Sequence, residues 1–172
     1  MDKEYLNLIE QLLKDDALSS PESKLRRYAS MPNFNELLKT HPMLFVYCCA
    51  SNGHIDECIR LLATISEFYN FESPKVSSDD IHELVTFVID KSQTSSILKV
   101  IFDAEIKYLT TIKAVPVLFF KVTVDKDSFD IDQLNKMLNV RNRMESDDLS
   151  LHDASVSVGS ILVDKYVKPH LN

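Results

Sequence analysis

The sequence predicts an all-α protein of seven or eight helices, arranged as a compact bundle or a short stack of antiparallel helical hairpins. Three observations carry that expectation. Apolar residues recur at intervals of three and four in segment after segment, the signature of helices with one buried face. Ser, Asp or Asn stands ahead of most of these stripes, with Pro near the first turn of several, and these are helix-start residues. Only 2 of 172 residues are Gly, where average usage would give about 12. A mostly helical chain avoids glycine, because each one in a helix interior costs about 1 kcal/mol against Ala.

The first stripe is Leu6, Ile9, Leu12 and Leu13, opposite Lys3, Glu10 and Lys14, on a helix expected to end near Leu18. Ser20 followed by Pro21 is N-cap chemistry for a short second helix carrying Leu25, Tyr28 and Ala29 and stopping before Pro32. Asn33, with Glu36 three residues on, begins a third around Phe34, Leu37 and Leu38, which Thr40-His41-Pro42 breaks. Met43 to Ala50 is apolar throughout, fitting a helix buried on every side. Ser51-Asn52-Gly53 ends that helix with residues that tolerate the left-handed conformation. Asn52, Gly53 and His54 therefore form a hairpin turn into the stripe of Ile55, Cys58, Ile59, Leu62 and Ile65.

Phe71 to Ser78, with Pro74, is the best internal loop and the place where a single helical domain spanning 1–172 would divide. Ser78, Asp79 and Asp80 cap the next stripe, Ile81, Leu84, Val85 and Val88, and Lys91 to Ser95 turns it into Ile97, Leu98, Ile101, Phe102 and Ile106. This second helix-turn-helix unit superposes on the first after a shift of 39 positions, with Ser92 on Gly53. Val115 to Val124 has the β-branched and aromatic content of a strand, but no other segment offers it a partner, and unpaired strands are unstable. A buried helix from Pro116 is the preferred reading. Asp127-Ser128 and Asp130 precede a helix of Ile131, Leu134, Met137 and Leu138. The last helix begins at Asp153, carries Ala154, Val158, Ile161, Leu162 and Tyr166, and ends before Pro169; Gly159 inside it implies close approach by a neighbouring helix.

Gly53 and Gly159 are too far apart to build a phosphate-binding loop or dinucleotide fingerprint, each of which needs two or three nearby glycines. The net charge is -7, a field that repels nucleic acids and anionic membranes. The basic clusters, Lys24-Arg26-Arg27 and Lys136-Arg141-Arg143, are diluted by neighbouring acids. Cys48, Cys49 and Cys58 are an odd set crowded into one stretch, so they read as buried thiols of a reducing compartment and not as a disulfide framework. Met1-Asp2-Lys3-Glu4 begins neither a secretory nor a transit signal, and the longest apolar run, Ala114 to Phe120, is far short of the ~20 residues that span a membrane. The expected address is cytoplasmic or nuclear.

Ala50-Ser51-Asn52-Gly53-His54-Ile55-Asp56-Glu57-Cys58-Ile59-Arg60-Leu61-Leu62 resembles the middle of an ankyrin repeat, with a Gly-His turn and an acidic-apolar helix ending in paired leucines. The resemblance implies that Gly53 and His54 close the turn between two helices, with the His54 side chain tying down backbone groups, and that the fold binds protein. The Thr-Pro-Leu-His opening of that family is Leu44-Phe45-Val46-Tyr47 here, and no second Gly-His follows about 33 residues away. The run is also similar to a pentatricopeptide or tetratricopeptide hairpin with Cys58 as its small residue. The pentatricopeptide resemblance implies RNA binding.

Cys49, His54 and Cys58 have the residue types of three zinc ligands across one turn, but buried thiols and a turn histidine account for them without metal, and neither metal nor cofactor is expected. Cys58 with His54, or Ser150 with His152 and Asp153, has the composition of a nucleophilic site and lacks an oxyanion hole. Phe68, Tyr69 and Phe71 bunch before the Pro74 loop; exposed, they would anchor a partner, and buried, they would seal the core. The expected function is therefore non-enzymatic protein binding, by an adaptor, inhibitor or regulatory factor. With 14 Lys against 5 Arg, its composition suits a viral or parasite host-interaction protein. An RNA-associated helical-repeat protein is the rival reading, and a small enzyme without a recognisable motif is the third.

Overall fold

The computed structural model describes residues 1–15, 20–50, 54–66 and 73–171. In it Pro21, Pro42 and Pro116 each occupy the first position of a helix, where the missing N–H is no loss and the fixed φ already suits the helix. Pro42 and Pro116 each start a new helix directly after the one before it, which ends at Thr40 and at Ala114 respectively. The described residues accordingly form ten α-helices and no strand, more than the seven or eight expected, because the short segments between prolines stay separate. They are α1 (Lys3–Lys14), α2 (Pro21–Ala29), α3 (Asn35–Thr40), α4 (Pro42–Cys49), α5 (Ile55–Ile65), α6 (Ser78–Ser92), α7 (Ile97–Ala114), α8 (Pro116–Val124), α9 (Ile131–Glu145) and α10 (Leu151–Tyr166). The segment around Pro116 is helical, as preferred over a strand.

α4 is the centre of the amino-terminal half and packs on α1, α2, α3, α5 and α7. Seven of its eight residues are buried, Tyr47 excepted, so an apolar run that would be insoluble on a surface becomes the core. α6, α7 and α8 pack on one another, and α5 against α8 joins the two halves. One apolar cluster runs through both, from Leu8 to Leu138, with Phe34, Phe45, Phe119 and Phe120 among its largest fully buried side chains. Burying each such ring stabilises the fold by roughly 1.5–3 kcal/mol.

The stripe of α6 is buried as its spacing predicts, at Ile81, Leu84, Val85 and Val88. Its cap is Ser77, one residue earlier than expected, in a capping box with Asp80. α1 is rotated from its expected face: Leu8, Ile9 and Leu12 are buried while Leu6 and Leu13 are exposed, and it is capped at Asp15 after ending at Lys14. In α5 the buried positions are Cys58, Leu61 and Ile65. α7 bends at Tyr108, whose backbone leaves the helical region, and Ile106 points out at 65% exposure while Glu105 points in at 1%.

α9 and α10 lie at the carboxyl-terminal edge. α9 packs on α6, and α10 packs on α9; the two contribute one buried residue each, Leu138 and Ala154. The turn between them uses Asp147 at φ 60, with the Asp148 N–H donating to Arg143 O (2.8 Å) and the Asp147 N–H to Met144 O (3.1 Å). This is the left-handed helix stop that glycine usually provides, and aspartate is among the few other residues that tolerate it. α10 then starts at Leu151 on a Ser150 cap that accepts from the Asp153 N–H (3.1 Å), two residues before the expected start at Asp153. At the far end Lys165 Nζ donates to Asp130 Oδ2 (2.7 Å) and Gln133 Oε1 (2.6 Å), so the hairpin is tied at both ends.

Candidate functional site

The aromatic trio Phe68, Tyr69 and Phe71 lies outside the described residues, as do Asn52 and Gly53 of the predicted hairpin turn. His54 is the exposed N-cap of α5 and makes no side-chain capping bond, which departs from the tying role the ankyrin resemblance implies. Cys48, Cys49 and Cys58 are buried free thiols. Burial pushes Cys48 and Cys58 up to about 12 and Cys49 higher still, so none is a ready thiolate nucleophile. No side-chain hydrogen bond joins His54 to Cys58. Among the described residues no three His, Cys, Asp or Glu side chains converge as metal ligands. Ser150 Oγ donates to Asp153 Oδ2 (2.8 Å) and accepts from the Asp153 backbone, an arrangement that closes a helix end and leaves His152 exposed.

In the basic clusters Lys136 and Arg143 are exposed. Lys24 is buried, Arg27 pairs with Asp15 (3.0 Å), and Arg141 pairs with Glu145 (2.9 Å) and donates to Val76 O.

The buried polar centre of the molecule is a structural device. Pro42 begins α4, and the next two N–H groups, Met43 and Leu44, donate to the Glu105 carboxyl oxygens of α7 at 3.1 and 2.8 Å. A side chain from α7, more than sixty residues away in sequence, thus supplies the cap that the residue before Pro42 does not. Burial pushes Glu105 well above the usual carboxyl range, opposed by those two N–H donors and by Lys113. His41 beside it stacks on Phe102 at 4.3 Å, and burial lowers it to about 4, so the ring is neutral. None of these groups opens onto a described cavity.

The surface feature that stands apart is the α9–α10 hairpin. Twelve large apolar side chains are exposed among the described residues, and seven of them fall between Leu151 and Leu171: Leu151, Val156, Leu162, Val163, Tyr166, Val167 and Leu171. Single exposed apolar residues are ordinary; here five of the seven lie on α10, and Val167 and Leu171 follow its end. Beside it, α9 and α10 enclose a groove of about 460 Å³ lined by Met137, Val140, Arg141 and Met144 on one wall and Leu151, Ser155, Val158, Gly159 and Leu162 on the other. Gly159 does not serve the close approach expected of it, since a Cβ built there meets nothing within 4 Å. It lies on the groove wall with open space above.

Sequence reading placed Ala154, Val158, Ile161, Leu162 and Tyr166 on one inward stripe. It missed the second apolar set, Val156, Val163 and Val167, which at 100° per residue lies on the flank away from α9. The signal was present: a helix apolar on most of its circumference normally lies between two neighbours, and among the described residues α9 is the helix that α10 packs on most. No protein-family model matches the chain, and comparison with curated proteins and with solved structures finds no match. No helix among the described residues is long and apolar enough to cross a membrane.

Proposed function

We propose that this protein is a non-enzymatic binding module that engages another polypeptide through the α9–α10 hairpin. The observation that carries this reading is the crowding of exposed apolar side chains along α10, beside a groove with an apolar, methionine-bearing wall. Thioether side chains re-pack easily around a partner's contours, and the salt bridge and caps at either end of the hairpin hold its two walls in place without a partner. A rigid apolar groove of this kind suits an amphipathic helix laid into it.

The test is site-specific photo-crosslinking in the cell of origin, with a benzophenone side chain placed at Leu162 and, as control, at exposed Leu13 of α1. Protein adducts at Leu162 and none at Leu13 support the reading. Adducts carrying RNA would support the helical-repeat RNA protein instead, and adducts at neither position would end the proposal for this face.

A further inference from the structure

Arg26-Arg27-Tyr28-Ala29-Ser30-Met31-Pro32 spans the end of α2 and the chain that leaves it. Both arginines lie in the last helical turn, and Ser30 is the residue that follows the helix. Arginine-directed protein kinases hold a guanidinium three residues before the acceptor serine in an acidic pocket, where its planar fork pairs with carboxylates. Arg27 stands at that distance from Ser30, and one turn of helix puts the two side chains on the same face.

The fold presents this motif at the surface. Ser30 is exposed, and its hydroxyl donates to Arg27 O at 2.7 Å. The inward side chains of the same stretch are Leu25 and Ala29, with Tyr28 edge-on to Phe34 at 4.7 Å. Reaching Ser30 therefore leaves the core closed. Beyond it the chain has already left the helix: Met31 is extended at φ -87 and ψ 125, and Pro32 begins a separate 3-10 turn. A kinase binds its acceptor as extended chain, so only the last turn of α2 has to unwind. The Ser30 N–H holds Arg26 O there at a long 3.3 Å. Arg27 itself is half exposed and pairs with Asp15, the cap of α1, at 3.0 Å.

We propose that Ser30 is a phosphorylation site, selected by an arginine-directed kinase through Arg27 and restrained by the Asp15 pair that occupies Arg27 in the unmodified fold. Ser30 Oγ attacks the γ-phosphorus of ATP, the bond from that phosphorus to the β–γ bridging oxygen breaks, ADP departs, and the hydroxyl proton passes to the kinase's catalytic carboxylate. The phosphate then stands at the carboxyl-terminal end of α2, against the negative end of the helix dipole, and the hydrogen bond to Arg27 O is lost. Arg27, one turn away, exchanges Asp15 for the phosphate, which opens the tie between the ends of α1 and α2. The site is independent of the α9–α10 face.

The test is phosphorylation of the full chain by the catalytic subunit of cyclic-AMP-dependent protein kinase with ATP, the rate and position read by mass spectrometry. A phosphate on Ser30 is expected, and none there in Ser30→Ala. Arg27→Ala should slow the reaction about tenfold or more. Asp15→Asn, which frees Arg27 at unchanged shape, should speed it by a factor of about two to five. A synthetic peptide covering 24–35, with and without Arg27→Ala, repeats the comparison where folding plays no part. Chain recovered from its cell of origin under phosphatase inhibition should carry the same phosphate. A peptide that reacts while the folded chain does not would show that the fold hides Ser30. That result, an unchanged rate in Arg27→Ala or in Asp15→Asn, or an unmodified Ser30 in the cell would overturn the proposal.

Discussion

Replacing Glu105 with Ala would leave the Met43 and Leu44 N–H groups of α4 without an acceptor inside the core. Both bonds are well formed, at 3.1 and 2.8 Å, and Glu105 is 1% exposed, so water cannot substitute for the lost oxygens. Each orphaned buried donor costs about 1–3 kcal/mol, partly offset by removing a carboxyl whose own burial is unfavourable. The net loss should be about 2–4 kcal/mol, which for a chain of this size lowers the melting temperature by roughly 2–4 °C per kcal/mol. Glu105→Gln keeps one acceptor and turns an NH2 toward the other donor, for a loss of about 1–2 kcal/mol. The pH dependence is the sharper signature. Because burial raises the Glu105 pKa in the fold, its stabilising share is fully present below the unfolded carboxyl value and is lost as pH rises through the folded one. The advantage of wild type over Glu105→Gln should therefore shrink from pH 4 toward alkaline pH in urea unfolding followed by circular dichroism. An Ala variant within 1 kcal/mol of wild type, or parallel pH curves for wild type and Gln, would refute the capping argument.

His41 acts in the opposite direction: its pKa is about 4 in the fold against 6.5 unfolded, so the unfolded chain takes up a proton the fold refuses as pH falls between those values. Wild type should lose about 2–3 kcal/mol across that window after allowance for solvent screening, and His41→Phe should flatten the profile in acid titrations of the melting temperature. At the start of α6, Ser77→Ala should cost about 1 kcal/mol through loss of the capping box. Ser78→Ala should be neutral or stabilising, since the Ser78 hydroxyl is buried without a partner, and chemical denaturation of the pair checks this. Gly159→Ala should stabilise the fold by about 1 kcal/mol through helix propensity, since the added Cβ has open space, and a lowered melting temperature would show that the fold needs the glycine.

The local features of this fold were legible in the sequence and the long-range ones were not. The stripe Ile81, Leu84, Val85, Val88 and the cap Ser20-Pro21 depend on neighbours within a few residues, and they appear as read. α1 offers Leu6, Leu8, Ile9, Leu12 and Leu13, enough apolar positions for two faces, and only the packing of α1 on α4 selects Leu8 over Leu6 and Leu13. Glu105 reads as a solvated charge beside an inward Ile106, because nothing nearby reveals that α4 needs an acceptor there. Asp147 takes the left-handed turn position that glycine usually fills, aspartate being tolerated there. The candidate site was half legible: the last helix was placed to within two residues at its start, but the second apolar flank and the open space over Gly159 emerge only once α10 is seen, among the described residues, to pack chiefly on α9.

The central claim is that the α9–α10 hairpin binds a polypeptide. Photo-crosslinking from Leu162 in the cell of origin, with exposed Leu13 as control, tests it most directly. Protein adducts at Leu162 and none at Leu13 are the predicted result. The absence of protein adducts at Leu162 would contradict binding through this face.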